Sequence, residues 1–376
     1  MKTYFKKHKQ IFIPAIFFSL AGALLFSLIF SFPPSLNYER KFLEKKELSR
    51  AELKQEALNQ KIFISPYENI NWERIKFYHA NFHTHTNLSD GLLSPEEVIK
   101  FYQENNYHIL ALTDHDNMRN YQVTWPRDIY PEIKEEENSF LFPGQEFLLI
   151  KGNEISDVHH LGSLFNDYGG GAFSEGSDLK EISLRNGLAI LFHPGRYNYD
   201  LNFYTDLFNK FPSLLGLEVY NQNDRYSRDR ELLDALLNEL LPERIFWAFA
   251  DDDMHDPELH FSFNRNIFPL ESLNEGNLRE AIKHGSFFFF KANESGLLPG
   301  FEIKEIYNSG EKIEIEIIGD YEKIEWLSFN PDKNLSEVVG STNKILIKDL
   351  NSNQKFVRFV VSSESGQFYS QAFMIR

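Results

Sequence analysis

Residues 83–90 read His-Thr-His-Thr-Asn-Leu-Ser-Asp and directly follow the apolar stretch 75–82, which is predicted to be a strand. In an extended chain the side chains at i and i+2 point the same way. His83 and His85 can therefore reach one point beyond the strand end, and Asp90 follows a few residues on. Two imidazoles and a carboxylate presented together make half of a divalent-metal site. An H-x-H pair alone arises by chance in many proteins. Its weight here comes from four more apolar runs that also end in His, Asp or Glu.

Those runs are read as strands over 108–113, 147–151, 188–192 and 245–250, with a further strand expected over 214–219. The first leads to Asp114, His115 and Asp116, and the second to Gly152-Asn153-Glu154, then Asp157, His159 and His160. The third leads to His193-Pro194-Gly195-Arg196. The run at 214–219 contains Glu218 and leads to Tyr220-Asn221, and the last is followed by Asp251, Asp252, Asp253 and His255. Of the 12 histidines, seven (His83, His85, His115, His159, His160, His193 and His255) sit just past a predicted strand end, which scatter would not produce. In open α/β sheets and barrels, chemistry collects at the carboxyl ends of strands.

The elements that must position these residues follow from the pattern. Helices are expected over 95–105, 225–241 and 272–284; the first begins Ser94-Pro95-Glu96-Glu97, an N-cap followed by Pro and acids in the first turn. Strands alternating with helices between 75 and 297 predict an α/β domain with a mainly parallel sheet, open or closed as a barrel. From 298 to 376 the pattern shifts to period-2 segments at 312–318, 344–348, 355–361 and 371–375, which predict a small antiparallel sheet or sandwich. The run of four phenylalanines at 287–290 reads as a buried strand.

At the other end, Lys2, Lys6, Lys7 and Lys9 precede an uncharged stretch over 11–36. About 20 apolar residues span a bilayer, so 1–37 is expected to be an uncleaved membrane anchor. A signal peptide and a buried helix are the other readings, but the run is long for the first and no cleavage site follows it. The lysines place the N-terminus in the cytoplasm and the rest of the chain outside the membrane, periplasmic or extracellular. Residues 38–74 read as a charged helical lead-in.

Composition narrows the chemistry. The chain has no cysteine, which excludes disulfides, thiolate catalysis and Cys-type zinc sites, so any metal must be held by imidazole and carboxylate. A net charge of −16 argues against a stable nucleic-acid partner, because no basic stripe is present to meet the phosphates.

The ordered set of strand-end residues resembles the PHP (polymerase and histidinol phosphatase) family. Its pattern is carried here by His83-Thr-His85, Asp90-Gly91, Thr113-Asp114-His115, Gly152-Asn-Glu154, His159, His193-Pro194 and Asp253-Met-His255. The resemblance covers about residues 76–290. It implies a distorted TIM-like barrel of seven βα units, (β/α)7, holding two or three divalent ions. It further implies His83, His85, Glu154 and Asp253 as ligands of one ion, and Asp90, His115 and His255 of a second. Glu154 as a bridge, with His159 and His193, would serve a third. Mixed imidazole and carboxylate donors suit zinc, manganese or iron. Adjacent ions can acidify a water and clamp phosphoryl oxygens, which makes phosphoester hydrolysis the expected reaction.

Some roles stay open on sequence grounds. His160 competes with His159, and the spacing to Gly162 favours His159. Glu146 in Pro143-Gly144-Gln145-Glu146 mimics the Glu154 element without a following His. Asp114 and Asp116 are expected to orient neighbours or close turns rather than to bind metal. Arg196 is a candidate contact for a substrate phosphate, against the plainer reading of a solvated loop arginine. Arg225, Arg228 and Arg230 read as a solvated helix face from which one member could face the cleft. The substrate expected is a phosphorylated small molecule or a nucleotide. Hydrolysis of an amide or carboxylic ester by the same machinery, and a non-catalytic cell-surface sensor or scaffold, are the alternatives.

Overall fold

A computed structural model describes residues 63–116, 132–157, 159–351 and 353–375, which belong to one compact unit, Lys61–Arg376. The anchor expected at 1–37 and most of the charged lead-in lie outside the described residues. Among the described residues no helix is long and apolar enough to cross a membrane.

The chain alternates strands and helices up to residue 292. After the two-residue β1 (Phe63–Ile64), β2 (Lys76–Asn81) leads through α1 (Pro95–Glu104) to β3 (Ile109–Leu112), parallel to it. A hairpin of β4 (Lys134–Glu135) and β5 (Ser139–Phe142) precedes β6 (Phe147–Ile155), which lies parallel to β3 and antiparallel to β5. β7 (Leu161–Leu164) is antiparallel to β6 and, beyond α2 (Glu175–Leu184), to β8 (Leu188–Leu191). Through α3 (Leu201–Lys210) and α4 (Arg228–Leu240), β8 is followed by β9 (Leu214–Asn221) and β10 (Trp247–Asp251), and these three strands run parallel. β11 (Asn264–Leu270), α5 (Glu275–His284) and β12 (Phe288–Ala292) follow, β11 pairing antiparallel with both β2 and β12.

The result is a mixed α/β fold, with two parallel groups of three strands joined through an antiparallel one. The expected sheet was mainly parallel, and the difference has a local cause. Only residues 156–160 separate β6 from β7, and a parallel crossover needs about a dozen residues or more. Between β10 and β11 the link is made by side chains. Asn266 donates to the Ala250 carbonyl and accepts from its N–H, both at 3.1 Å, and Asn264 donates to the Asp251 carbonyl at 3.0 Å. Both asparagines are fully buried, so these bonds satisfy backbone groups that would otherwise lack partners.

Helix α1 starts as its sequence predicts. Ser94 Oγ accepts from Glu97 N–H at 3.3 Å while Glu97 Oε2 accepts from Ser94 N–H at 2.8 Å, a reciprocal cap that contributes about 1 kcal/mol. Its Val98, Ile99 and Tyr102 are fully buried beside β3. The main core gathers Phe82, Leu161, Phe192, Phe249 and Phe268 from the strands and their ends with Leu179, Phe208, Leu236 and Leu278 from the helices.

The remaining strands are β13 (Phe301–Asn308), β14 (Lys312–Gly319), β15 (Lys323–Asn330), β16 (Leu335–Gly340), β17 (Lys344–Leu346), β18 (Phe356–Ser363), β19 (Gly366–Ser370) and β20 (Phe373–Ile375). All their pairings are antiparallel, and β12 to β19 joins them to the strands before 292. β13, β14 and β17 form a separate three-stranded sheet. Ile303, Ile313, Ile315 and Ile345 from it share a core with Phe288, Phe290, Trp326 and Phe359 from the large sheet. The two sheets thus bury facing surfaces, with Glu316, Lys344 and Lys348 exposed and Arg358 buried on the other face of the large sheet.

Candidate metal centre

The strand-end residues converge. Glu154, the second-to-last residue of β6, is the hub: its Oε2 lies 3.3 Å from His83 Nε2, 3.1 Å from His85 Nε2 and 3.2 Å from His115 Nδ1. Its Oε1 lies 2.6 Å from His160 Nδ1 and 3.2 Å from His193 Nε2. Asp253 Oδ1 stands 3.2 Å from His83 Nε2 and 3.1 Å from His85 Nε2. Asp90 Oδ2 is 3.5 Å from His115 Nε2 and 3.3 Å from His255 Nε2. Three overlapping donor groups result: His83, His85, Glu154 and Asp253; His85, Asp90, His115 and His255; and His115, Glu154 and His160.

Divalent cations fit this arrangement. His83 Nε2, His85 Nε2, His115 Nδ1 and Glu154 Oε2 are buried without a hydrogen-bond partner among the described residues. Each such atom costs about 1–3 kcal/mol unless something satisfies it. Burial alone would depress the His83 imidazole, but Asp253, Glu218 and Glu154 outweigh it and raise it well above its ordinary value. His85 is likewise raised against burial, to about 9, by Asp253 and Glu154. Burial disfavours the Glu154 carboxylate, yet the surrounding imidazoles, His83 foremost, hold it well below the usual range. Positive charge is in demand at this point, and the donors are those that suit first-row divalent ions.

The backbone is shaped to deliver these atoms. Asp253 and His193 have φ of +47° and +30°, left-handed values that side chains other than glycine adopt at a cost. Gly91 packs so tightly on the turn after β2 that a Cβ there would stand 2.5 Å from the His85 carbonyl oxygen. Asp114 pins that turn, accepting from Thr86 N–H at 2.7 Å, Thr86 Oγ1 at 2.8 Å and Ser89 Oγ at 2.8 Å. Asp116 accepts from Ser156 N–H and Oγ at 3.1 and 2.6 Å, so both acids orient neighbours as expected. In the Asp251–Asp253 triple only Asp253 faces the cluster: Asp251 accepts from Phe82 N–H, and Asp252 from the N–H groups of Ser262, Phe263 and Asn264.

One expected residue stands apart. His159 is buried away from the donor groups: its ring centroid lies 4.3 Å from that of Tyr197, its Nδ1 3.2 Å from the His160 carbonyl, and burial lowers it to about 3. His160 takes the place against Glu154. Consecutive residues of an extended chain face opposite ways, so the one-residue choice decides which imidazole points inward. Glu146 is on the surface, paired with Lys76 at 2.6 Å.

Glu218, Phe192 and Gln222 carried no role in the sequence reading, and Asn221 stood there between lining the site and closing a turn. Glu218 accepts from the His193 N–H at 2.7 Å and stands 2.8 Å from His83 Nδ1. A lone carboxylate inside the apolar run Leu217-Glu218-Val219 was its only signal. Phe192 stacks on the His83 imidazole at 3.7 Å between centroids and 12° between planes. Asn221 and Gln222 each donate to Asp253 Oδ2 at 3.2 Å. The cluster opens into a cavity of about 480 Å³ whose rim includes Arg196, Arg225 and His260. Neither arginine has a carboxylate partner among the described residues. Arg228, by contrast, is spent on the carbonyls of Tyr197 and Tyr199, both at 2.9 Å.

Fold and cluster together define an α/β protein with His, Asp and Glu groups that could hold divalent metal gathered near the carboxyl ends of its strands. The PHP domain model matches residues 81–349, and the chain belongs to the PHP domain family, whose domains bind divalent metals. No curated protein matches the chain. Among solved structures it is similar to a two-domain protein from Bacteroides vulgatus containing a predicted PHP-like metal-dependent phosphoesterase. The identity is 14% and the TM-score 0.49, over 84% of this chain and 90% of that one. It is also similar to the lesion-specific endonuclease from Pyrococcus furiosus, with 12% identity and a TM-score of 0.42 over 55% of this chain and 56% of that one.

Proposed function

We propose that the chain hydrolyses phosphate esters of small molecules or nucleotides with two or three divalent ions held by His83, His85, Asp90, His115, Glu154, His160, His193, Asp253 and His255. The observation that carries the reading is the buried convergence of imidazole nitrogens on Glu154, beneath a rim with Arg196 and Arg225, neither of which makes an ion pair among the described residues. Bound there, divalent ions supply Lewis acidity, lowering the pKa of a water and offsetting charge on phosphoryl oxygens. A structural site closes around about four ligands, whereas this donor set is larger and opens to solvent on one side.

The chain's own residues divide the remaining work. Glu218 holds the His83 ring by Nδ1 so that Nε2 points at the cluster, and the Asp253 carbonyl holds His255 Nδ1 at 2.9 Å to the same effect. Asn221 and Gln222 fix the outer oxygen of Asp253. Arg196 and Arg225 are placed to grip phosphoryl oxygens with charge-assisted bonds. The parallel groups β2-β3-β6 and β8-β9-β10 around this centre support reading 75–297 as the distorted seven-unit barrel, with 298–376 as a β-rich companion. The lysine-led apolar stretch at 11–36 supports a membrane-anchored enzyme facing away from the cytoplasm, which extraction of the full chain by detergent but not by alkaline carbonate would bear out.

Metal analysis of the purified protein, coupled to a panel of phosphomonoesters and phosphodiesters, tests the reaction. Copurifying or restorable zinc, manganese or iron and phosphate release are expected. His83→Ala and Asp253→Ala should both lose turnover and metal while keeping the circular dichroism of the folded chain. Turnover of amides or carboxylic esters alone would overturn the phosphoesterase reading, and full activity in both variants would remove the metal centre from catalysis.

A further inference from the structure

A second cavity, of about 450 Å³, lies where β9 and α4 meet the strands β12, β15, β18 and β19, and the metal centre makes no use of it. Its volume falls within the range of small-molecule sites, about 300–1,000 Å³. Its walls carry three cationic side chains, Arg230, Lys291 and Arg358, against two carboxylates, Asp224 and Asp234. Both carboxylates are engaged. Asp234 pairs with Arg358, whose Nη2 stands 3.1 Å from Oδ2 and whose Nε stands 3.3 Å from Oδ1. Asp224 pairs with Arg230 Nη1. Lys291 is left over: its Nζ donates to the carbonyl of its neighbour Ala292 at 2.9 Å and makes no ion pair among the described residues.

A local positive surplus in a chain of net charge −16 is itself a departure from the rest of the molecule. The two guanidinium groups are also held in place. Arg230 lies 4.9 Å over the Tyr220 ring and Arg358 5.9 Å over the Tyr369 ring, while the two phenol hydroxyls bond to each other at 2.6 Å. Arg358, Tyr220 and Tyr369 are all buried, so the wall is built of fixed groups rather than solvated surface chains. Guanidinium groups fixed on one edge keep planar donors for an oxyanion on the other.

We propose that this cavity binds a small organic oxyanion, a carboxylate or phosphate group held by Lys291 together with Arg230 and Arg358. The site is separate from the metal centre and stands whether or not that centre hydrolyses phosphate esters. It nevertheless shares a stretch of chain with it: Tyr220 and Asp224 line this cavity, while Gln222 and Arg225 line the other.

Lysine labelling reads the site directly. Burial lowers the Lys291 ammonium, which keeps a reactive amine fraction within reach of an acetylating reagent. The full-length, metal-loaded protein is pulse-acetylated in inorganic phosphate or in succinate, and the peptides are mapped by mass spectrometry. Lys291 labelling should slow saturably, by about tenfold at ten times Kd, because occupancy shields the amine as 1 + [L]/Kd. Exposed Lys180 should not change, and Arg230→Gln should abolish the protection. Whichever anion protects at lower concentration identifies the headgroup. Unchanged labelling of Lys291 in both anions, equal slowing at Lys180, or protection that survives Arg230→Gln would each overturn the site and leave the cavity as a solvated seam.

Discussion

Glu218 Oε1 stands 2.8 Å from His83 Nδ1, and both side chains are fully buried. A carboxylate at that nitrogen holds the proton on Nδ1 and leaves the Nε2 lone pair for the cluster, the arrangement that commonly orients a metal-binding imidazole. The other oxygen, Oε2, accepts from the His193 N–H at 2.7 Å and from Asn221 Nδ2 at 3.1 Å. One carboxylate thus ties together the ends of β2, β8 and β9. Glutamine offers one acceptor oxygen where glutamate offers two, so Glu218→Gln must forfeit one of these ties. Metal affinity is expected to fall by about 10- to 100-fold with the fold retained. Competition with a chromophoric chelator measures it, and an unchanged affinity would show that Glu218 does not position His83.

The neighbouring histidines give a sharper contrast. His160 Nδ1 is 2.6 Å from Glu154 Oε1, whereas His159 packs among Tyr197 and Tyr204. His160→Ala is therefore expected to lower metal content and turnover without much effect on stability. His159→Phe keeps an aromatic ring in an aromatic setting and should retain most activity. The reverse pattern, measured by metal content and steady-state rates on the two proteins, would move the inward-facing role to His159.

These two histidines also mark where the sequence stopped being legible. The strand-end placement of His83, His85, His115, His193, Asp253 and His255 could be read because a short apolar run states where a strand ends, and the alternation of an extended chain states which side its last residues share. The choice between His159 and His160 needed the direction of the chain in the short link from β6 to β7, which no periodicity records. The reversal at β7 was hidden for a related reason: Leu161–Leu164 is four residues, Leu-Gly-Ser-Leu, too short and too weakly apolar to signal a strand or its partner. Glu218 and Phe192 matter through contacts with residues 135 and 109 positions away in the chain, and no local pattern carries such pairing. The shift to period 2 near residue 298 was clear, yet β12 and β19 pair across that boundary. Strand pairing between distant segments lies outside what hydrophobic patterning can state.

The His83 ring is fixed on its face as well as its edge. Phe192 lies flat on it, and a Cβ at Gly162 would stand 2.3 Å from the tip of the Phe192 ring. Gly162→Ala must displace Phe192 from its present position on His83. Overpacking of this kind costs about 1–3 kcal/mol. The expected result is a lower thermal midpoint together with weakened metal binding, and Phe192→Leu in the Gly162→Ala background should recover part of the midpoint by vacating the space. A midpoint equal to that of the parent protein would sink the packing argument.

Arg196 follows His193-Pro194-Gly195 in a single turn of 3-10 helix, and its guanidinium reaches the cavity rim without a carboxylate partner among the described residues. A charge-assisted bond to a substrate oxygen contributes about 1.5–3 kcal/mol, so Arg196→Ala should lower kcat/KM for phosphoesters by about 10- to 100-fold. Metal content should not change, since no arginine atom belongs to the donor groups. Equal kcat/KM in the two proteins would return Arg196 to the role of a solvated loop residue.

Asp229, at the start of α4, holds the same loop from below. It accepts from the Gly195 N–H through Oδ1, while its Oδ2 is buried with no partner among the described residues. Burial raises its carboxyl from 3.8 to about 8, against the lowering effect of the Gly195 bond and with a further push from Glu218. The sign follows from proton counting: between its ordinary value and about 8 the folded chain holds a proton that the unfolded chain releases. Stability from this group therefore declines as pH rises through that window, and the full cost remains at higher pH. Asp229→Asn keeps an acceptor for Gly195 and removes the titration. Urea midpoints of both proteins between pH ~5 and ~9 should diverge, the variant gaining most at the alkaline end. Taking the difference at each pH cancels the contribution of the histidine cluster, which both proteins share. Parallel curves would mean that Asp229 ionises in the fold at little cost, and that the loop carrying His193 and Arg196 is held by a charged carboxylate.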